Sequence, residues 1–316
     1  MAKMEIILST GNIVSGVPSI VRKPGSSRSN LEFTSSLRDH FAAAQQDYAA
    51  AAGGGSSSPD GETPVDIWTT REGNTLYVPR IEWATAGLQE EGNRYDITVK
   101  LFFLPGAPIS EREQYIKDAV DLVLKELKVD SIDLLIASFP EMSFDGDCEW
   151  EADKKNASQG DDDEEASTWV LMEKIHEKGM VKSLGISEFG SEKMQRLMKR
   201  INVRPAVDQI NIRDCCKVPP PLIKLAKEQK IELLVHTDCT DILPSGTLRE
   251  LLGHGPIGAG VVSTPEPGEN EDGHSGSPEL RGDLIPQWVV KYTAVVRDRG
   301  VIENKGYFAG AALVQG

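Results

Sequence analysis

Residues 132–140 read IDLLIASFP, and the first six of them predict a buried β-strand. Before them, residues 97–104 read ITVKLFFL, a β-branched and aromatic run that predicts another strand. Between the two, Ser110 can cap a helix whose apolar residues recur at helical spacing as far as Leu127. A strand, a helix and a strand in this order predict parallel pairing with a right-handed crossover.

The same alternation extends along the rest of the chain. Further strands are predicted at residues 5–8, 76–81, 181–186, 207–210, 231–236 and 301–302. Further helices are predicted at residues 30–50, 168–178, 191–200, 220–229, 247–252 and 286–299. Eight strands in successive βα units favour a (β/α)8 TIM barrel over an open doubly wound sheet. No G-x-G-x-x-G pattern follows a strand, which also disfavours a Rossmann fold.

The charge of the chain is concentrated in two segments. The 316 residues include 34 basic and 49 acidic side chains, for a net charge of −15. Residues 141–166 hold eleven acidic against two basic side chains, and residues 266–283 hold six against one. The remainder is close to neutral. Such acidity disfavours nucleic acid and anionic membrane surfaces as partners, because a negative field repels both.

Segments of low complexity interrupt the alternation at about residues 49–64, 141–166 and 253–283. They are poor in apolar residues, so we expect disordered acidic and low-complexity insert loops, although the alanines at 49–51 could extend the preceding helix. A regulatory or metal-attracting tract is the alternative for the acidic segments. Because the alternation resumes in the same style after each segment, we expect a single domain over residues 1–316.

The cellular setting is predicted from what the sequence lacks. No apolar run approaches the roughly 18 residues that span a bilayer, and residues 1–14 lack a secretory cleavage site. Four cysteines do not make a disulfide framework, so we expect a cytoplasmic protein. His176, His254 and His274 do not have the spacing of metal ligands, and no metal site is expected.

Four segments carry a resemblance to a known family. Residues 132–140 resemble the aldo-keto reductase strand D-L-x-L-I-H-W-P, and residues 181–189 (VKSLGISEF) resemble its V-R-x-I-G-V-S-N-F. Residues 205–211 (PAVDQIN) resemble its P-x-x-N-Q-I-E, and residues 301–305 resemble its V-I-P-K. The resemblance implies a barrel of the aldo-keto reductase type.

In that family a tyrosine acid acts with a lysine, an aspartate and a histidine on the carbonyl group. Lys100 stands where the lysine is expected, but Ser138 occupies the histidine position and cannot replace an imidazole donor. No strand-borne Asp-x-x-x-x-Tyr precedes Lys100. Glu72 and Tyr77 have the spacing, but Glu72 lies in a polar loop. The resemblance therefore implies an incomplete tetrad and no enzyme activity.

The cofactor site of the family is also only partly matched. Lys305 stands at the position of the lysine that grips the 2′-phosphate, but Gly306 follows it and no arginine comes later. Ser187 and Gln209 could still hold a nicotinamide amide in a relic pocket. We expect no cofactor, with NADPH binding without turnover as an alternative. The alternative function is an NADPH-dependent aldo-keto reductase with an atypical active site.

A second resemblance explains these losses. The regulatory (modifier) subunit family of glutamate–cysteine ligase is similar to aldo-keto reductases in fold, carries serine at the position of Ser138 and lacks their activity. The matching segments are residues 9–13, 209–211, 215–220, 234–238, 288–292 and 299–307. The resemblance implies a heterodimer with the ligase catalytic subunit, better use of glutamate and weaker feedback inhibition by glutathione.

Several residues have two interpretations. Cys215 and Cys216 are either ordinary packed thiols or act at the subunit interface, where the resemblance supports a disulfide to the catalytic subunit. Lys100 is either a vestigial catalytic lysine or a lysine that holds a carboxylate at the barrel mouth. We favour a structural or ligand-orienting role for Lys100, and a hydrogen-bonded structural role for His236 over that of a general base.

Overall fold

The computed structural model describes residues 3–14, 28–51, 63–144, 146–211, 217–255, 257–263 and 280–314. One sheet contains the strands β1 (Lys3–Ser9), β2 (Thr70–Glu72), β3 (Thr75–Val78), β4 (Tyr95–Phe103), β5 (Ile132–Ser138), β6 (Val181–Ser187), β7 (Val207–Ile210), β8 (Glu232–Val235), β9 (Asp283–Val296) and β10 (Val301–Val314). The α-helices are α1 (Ser29–Ala51), α2 (Val65–Trp68), α3 (Arg112–Leu127), α4 (Glu149–Asn156), α5 (Asp162–Glu177), α6 (Ser191–Met198), α7 (Pro220–Gln229) and α8 (Thr247–Leu252). None of these helices is both long and apolar enough to cross a bilayer.

The middle of the chain folds as the sequence predicts. Strands β4 to β8 are parallel neighbours in chain order, with α3, α5, α6 and α7 between them. Helices α7 and α8 have the predicted ends. Helix α5 begins six residues before the predicted start at 168, because Asp161 caps it. The Asp161 carboxylate accepts hydrogen bonds from the main-chain N–H groups of Asp163 and Glu164, at 2.8 and 3.0 Å.

The prediction of a helix at residues 286–299 is wrong. These residues form most of β9, which pairs antiparallel with both β4 and β10. Periodicity did not separate the two structures, because a strand buried on both faces also reads as a continuous apolar run. Gly300 has a φ of 62° and lies in the turn to β10 instead of ending a helix. The predicted strand 301–302 is likewise the start of the much longer β10.

The sheet therefore has ten strands of mixed direction, where eight parallel strands were predicted. Their order is β2-β3-β1-β10-β9-β4-β5-β6-β7-β8. The β9–β10 hairpin separates β1 from β4, and β1 runs antiparallel to β10 and parallel to β3. Among the described residues no backbone ladder joins β2 to β8, which stand at the two ends of the order.

The half of the sheet from β9 to β8 is strongly curved. These two strands are five positions apart, about 24 Å in a flat sheet. His236 still donates from its main chain to Ile210 of β7, and two residues later Asp238 contacts Lys291 of β9. Two extended residues span only about 7 Å, so the side chains cannot cover the remaining distance across a flat sheet. The sheet must roll, as a barrel-type wall does.

Apolar side chains cover both faces of the sheet. On one face α3, α5, α6 and α7 pack on β4 to β6 and on the β9–β10 hairpin. On the other face α1 and α8 pack on β1, β3, β9 and β10, around residues that include Phe33 and Tyr307. Burial on both faces is typical of α/β sheets and explains the apolar runs in the sequence.

The acidic segment 141–166 was predicted to be a disordered loop, and this prediction is wrong. It contains α4 and the start of α5, and its polar side chains are buried with specific partners. Asp153 accepts hydrogen bonds from both the N–H and the hydroxyl of Ser191, at 2.7 and 2.6 Å. Glu165 lies 2.8 Å from Lys193. Local composition could not reveal these partners, because they lie some 30 residues away in the sequence.

The other two predicted inserts are only partly within the described residues. Residues 52–62 and 264–279 lie outside them. At the first insert, Ala49 to Ala51 extend α1, as the alanine run allows. At the second, Val262 and Leu280 form an isolated parallel bridge where the described chain stops and resumes.

Candidate functional site

Lys100 lies on β4 with its side chain almost fully buried. Its Nζ is 3.3 Å from Oδ2 of Asp238 and 5.3 Å from the centre of the Phe102 ring. Burial lowers the pKa of Lys100, because the interior disfavours the charged form, and the carboxylate of Asp238 opposes this shift. The lysine thus holds a carboxylate, one of the two roles considered from the sequence.

Asp238 follows β8 and bridges two lysines. Lys291 lies directly opposite Lys100 on the neighbouring strand β9, and its Nζ is 2.7 Å from Oδ1 of Asp238. Burial alone would raise the pKa of Asp238, but the charges of Lys100 and Lys291 hold it well below its ordinary value. This ion-pair group fastens the end of β8 to β4 and β9.

His236 and Glu188 extend the group on its other side. Nε2 of His236 lies 2.7 Å from Oε1 of Glu188, and Nδ1 accepts a hydrogen bond of 3.1 Å from the main-chain N–H of Asp238. Because Nδ1 is an acceptor, the ring proton is on Nε2, beside the carboxylate. Glu188 also accepts from the main-chain N–H of Asn211, at 3.0 Å.

Asp208 lies on β7 next to this group and is completely buried. Its Oδ1 accepts a long hydrogen bond of 3.4 Å from the main-chain N–H of Phe189, and Oδ2 has no partner within the described residues. Burial, reinforced by the negative charge of Glu188, raises the pKa of Asp208 well above its ordinary value. Asp208 is therefore the carboxyl group of the cluster whose protonated form burial favours.

The residues predicted for a relic cofactor site are only partly brought together. Ser187 and Gln209 are directly opposite each other on β6 and β7. The hydroxyl of Ser187 and Oε1 of Gln209 are buried, and in the described part of the chain neither has a hydrogen-bond partner. Ser138 is buried at the end of β5, opposite Phe102.

Lys305 is engaged elsewhere. Its Nζ lies 2.6 and 2.8 Å from the two carboxylate oxygens of Glu32 in the first turn of α1. The hydroxyl of Tyr307 donates to the same carboxylate at 2.6 Å. Within the described residues, no hydrogen bond or ion pair joins Lys305 to Ser187 or Gln209. The cation predicted to grip a phosphate is thus neutralised by the protein itself.

A nicotinamide dinucleotide fits this surface at one end only. The unpartnered hydroxyl of Ser187 and oxygen of Gln209 could satisfy a carboxamide. Glu188 stands where the quoted family motif has asparagine, so a carboxylate lies beside that pocket. The charge of Lys305 is not available to a phosphate, because Glu32 already neutralises this lysine. The residues present therefore do not match the whole dinucleotide.

The tyrosine with tetrad spacing is far from Lys100. Tyr77 lies on β3, four strands from β4, and packs edge-on against Trp83 with ring centres 6.4 Å apart. It contributes to the core that contains α3. Lys100 lies over Phe102, which belongs to the core on the opposite face. No tyrosine hydroxyl contacts Lys100 within the described residues.

The cysteines give no structural test of an interface. Cys215 and Cys216 lie outside the described residues. Cys148 is exposed, and Cys239 donates from its thiol to the side chain of Asn30 at 3.3 Å. Across the described ranges, no group of three or more histidine, cysteine or acidic residues could hold a metal ion.

Sequence reasoning missed Asp238, Lys291, Glu188 and Asp208. Asp238 follows the predicted strand 231–236 closely, and that position at a strand end could have identified it. Lys291 fell within the wrongly predicted helix and gave no signal. The assembled group places Lys100 and Lys291 against Asp238, and His236 against Glu188. Such a group can hold strands together, because each of its charged side chains faces a partner from another element.

Comparison with known proteins gives three results. The family model described as the aldo/keto reductase family matches residues 82–250, just over half of the chain. A Schizosaccharomyces pombe protein named "Putative glutamate--cysteine ligase regulatory subunit" is 26% identical, covering 99% of this chain and 98% of the relative. The Mus musculus and Homo sapiens proteins named glutamate–cysteine ligase regulatory subunit are each 24% identical, covering 70% of this chain and 68% of the relative.

Solved structures give a weaker likeness. A Bombyx mori aldo-keto reductase in complex with NADP is 23% identical, covers 44% of this chain and 39% of that chain, and has a TM-score of 0.32. The aldose reductase of Schistosoma japonicum is also 23% identical, covers 43% of each chain and has the same TM-score. The predicted α/β fold of aldo-keto reductase type is confirmed by the family match.

Proposed function

This chain belongs to the aldo/keto reductase family, but its Lys100 and Lys305 are paired with its own carboxylates, and we propose that it is a non-catalytic regulatory subunit of glutamate–cysteine ligase. It binds the catalytic subunit as a heterodimer in the cytoplasm. In the complex it improves the use of glutamate and weakens feedback inhibition by glutathione. The observation that carries the proposal is the similarity to a regulatory subunit along almost the whole of both chains.

The site geometry supports the absence of catalysis. Reduction of a carbonyl needs a proton donor beside the lysine, and in the described residues Nζ of Lys100 contacts Asp238 and lies over the Phe102 ring. Tyr77 packs in the core of the opposite face. Ser138 replaces the imidazole that the family places at the end of this strand. The proposed function therefore implies an incomplete catalytic tetrad.

Regulation by a bound subunit requires a difference in binding free energy between states of the catalytic subunit. A regulatory chain that binds the active state more tightly lowers the glutamate concentration needed for half the maximal rate. Its body is almost neutral outside two acidic segments. We therefore expect recognition by shape and local patches, with only modest dependence on salt.

The experiment is kinetics of the catalytic subunit with and without saturating amounts of this chain. We expect co-purification of the two proteins, a lower KM for glutamate and a higher glutathione concentration for half inhibition. Unchanged constants at saturation would refute the proposal. Repeating the assay under reducing and oxidising conditions, with Cys215→Ser and Cys216→Ser variants, tests whether these thiols cross-link the subunits.

One observation favours a second candidate, a reductase with an atypical site. The unpartnered polar atoms of Ser187 and Gln209 could hold the amide of NADPH. That candidate predicts NADPH-dependent reduction of simple aldehydes, abolished by Lys100→Met. It also predicts quenching of tryptophan fluorescence by NADPH. If neither aldehyde reduction nor fluorescence quenching is observed, the regulatory function is the remaining candidate.

Point substitutions can test whether the acidic segment 141–166 contributes to binding of the catalytic subunit. Asp153 and Asn156 are buried and hydrogen-bonded to residues 188–191, so deleting the segment would unfold its surroundings. Reversing the exposed acids Asp147 and Asp163 to lysine leaves those contacts in place. If the acidic surface recruits the catalytic subunit, these variants lose binding; if the barrel surface does, they keep it.

A further inference from the structure

A cavity of about 280 Å³ lies between α1, the segment that follows β3 and the C-terminal end of α3. Small residues on two of these elements, Ala43, Ala44 and Ala86, leave the space open. None of the lining residues belongs to the group around Lys100 and Asp238. The cavity is therefore a separate feature of the molecule.

Glu126 of α3 lines this cavity and is more than nine-tenths buried, with 8% of its surface exposed. Within the described residues no hydrogen bond or ion pair reaches its carboxylate. Burial raises the pKa of Glu126, and the charge of Lys128 opposes the shift only partly. Because Glu126 lines the cavity, a ligand there could supply the hydrogen-bond donor that the protein does not.

The lining as a whole is negative. Arg80 is its one arginine or lysine, and it lies 3.1 Å from Glu82 and stacks 5.0 Å from the centre of the Tyr48 ring. The hydroxyl of Tyr48 also donates to Glu82 at 2.9 Å. The charge of Arg80 is thus already paired. Within the described part of the chain, no ion pair or hydrogen bond reaches the side chains of Asp47 and Glu126, although the charge of Lys128 acts on Glu126 from a distance. An incoming ligand meets two carboxylates that have no direct cationic contact.

His40 adds no positive charge to the lining. Its Nδ1 lies 2.9 Å from the main-chain oxygen of Ser9, so Nδ1 carries the proton and donates. Burial lowers the pKa of His40, against the effect of that hydrogen bond. The ring is therefore neutral at physiological pH and does not repel a cation. The carboxylates of the lining suit a ligand rich in N–H donors.

We propose that this cavity binds a small organic ammonium ion, whose N–H groups donate to Glu126 and whose positive charge neutralises the lining. A single bare metal ion would leave most of the volume empty, since one water occupies about 30 Å³. The described residues also contain no cluster of metal-ligating side chains there. The site is independent of the regulatory function proposed above.

Titration calorimetry on the full chain with three probes tests the charge requirement. Putrescine, butanediol and succinate share a four-carbon skeleton but are cationic, neutral and anionic. We expect saturable binding of one putrescine per chain and no binding of the other two. Binding of succinate, or of none of the three, would overturn the proposal.

Two variants and a control test the location. Glu126→Gln keeps the shape but removes the charge, and we expect putrescine to bind at least tenfold more weakly. Glu113→Gln, on the exposed side of the same helix, controls for general attraction by a chain of charge −15 and should leave binding unchanged. Equal affinity in all three proteins would place the cation elsewhere.

A third variant reduces the space and keeps every charge. Ala43→Leu adds three carbon atoms to the lining and should weaken binding of putrescine at least tenfold, while the thermal unfolding temperature stays close to that of the unaltered chain. This variant also decides the matter if Glu126→Gln fails to fold. Retained binding by a folded Ala43→Leu protein would refute the assignment.

Discussion

The side-chain amide of Asn156 donates a hydrogen bond of 2.8 Å to the main-chain oxygen of Glu188. The same amide donates to the main-chain oxygen of Ser143, and its oxygen accepts from the N–H of Gly190 at 2.6 Å. Glu188 has a φ of 64°, a conformation that L-residues rarely adopt without support. One buried asparagine in the acidic segment therefore holds the residue that contacts His236.

We expect Asn156→Ala to lower the free energy of unfolding by about 2–4 kcal/mol, because three main-chain groups, two of them in buried hydrogen bonds, lose their partner. Urea denaturation measures the change. Asn93→Ala, at an exposed position, is the control and should alter stability by less than about 0.5 kcal/mol. Similar small losses in both variants would mean that the contact with Glu188 is unimportant.

Asp238→Asn should destabilise the chain by about 3–5 kcal/mol, because it leaves the buried Lys100 and the partly buried Lys291 beside an uncharged amide. Combining it with Lys100→Met removes one unpaired charge. The double variant should therefore be more stable than the sum of the single changes predicts. Additive losses would contradict a direct interaction between Lys100 and Asp238.

The same carboxylate should make the chain sensitive to acid. Lys100 and Lys291 hold the pKa of Asp238 below its unfolded value, despite the opposite effect of burial. Its stabilising contribution is thus complete above the ordinary aspartate pKa, about 4, and is lost as the pH falls further. Urea midpoints below pH 4 should fall more steeply in the unaltered chain than in Asp238→Asn. Parallel curves would exclude Asp238 as the source.

Glu165 should have the opposite effect on the pH dependence of stability from that of Asp238. Burial raises its pKa to about 7, although Lys193 opposes the shift. The folded chain then holds the proton more tightly than the unfolded chain, so the free energy of unfolding falls as the pH rises from about 4.5 to 7. The contribution of this group is about 3 kcal/mol at most.

Stability curves between pH 4.5 and 7.5 measure this effect. Glu165→Gln should lose that part of the slope, whereas Glu192→Gln, at an exposed site on α6, should keep it. The difference between the curves isolates Glu165 from other buried acids such as Asp208. An unchanged slope in Glu165→Gln would show that the proton binds elsewhere.

Gly310→Ala tests the β9–β10 hairpin. A Cβ at residue 310 would overlap the indole of Trp288, its partner across the ladder. We expect a loss of about 2–4 kcal/mol in unfolding free energy from overpacking a rigid, buried ring. Gly73→Ala, where nothing lies within 4 Å of the new methyl group, should lose only about 1 kcal/mol from its positive φ. Equal losses would argue against the observed pairing.

Prediction from the sequence was most successful from β4 to β8. Residues 132–140 and 181–189 combine a strand pattern with a family motif, and helices such as α7 have proline at the start and local apolar spacing. Lys100 was expected at the end of a strand, with a carboxylate as one possible partner; it lies within β4 and contacts Asp238. These features depend on short segments, in which neighbours along the chain determine the structure.

Prediction failed where the deciding neighbour is distant in the sequence. Residues 286–299 are apolar in a pattern that suits a helix or a doubly buried strand, and only pairing with β4 and β10 selects the strand. The acidic side chains of residues 141–166 indicated disorder, but in the folded chain Ser191 and Lys193 supply buried partners for Asp153 and Glu165. The same is true of Lys291, which a rolled sheet brings to Asp238.

The sequence by itself therefore determined the α/β class, the parallel strands in the middle of the chain and the family to which the motifs belong. The tertiary structure alone decided the direction of the last two strands, the helical structure of the acidic segment and the ion-pair group around Asp238. The physical reason is that backbone propensity and periodicity act over a few residues. Strand pairing and the neutralisation of buried charge depend on groups that only folding brings together.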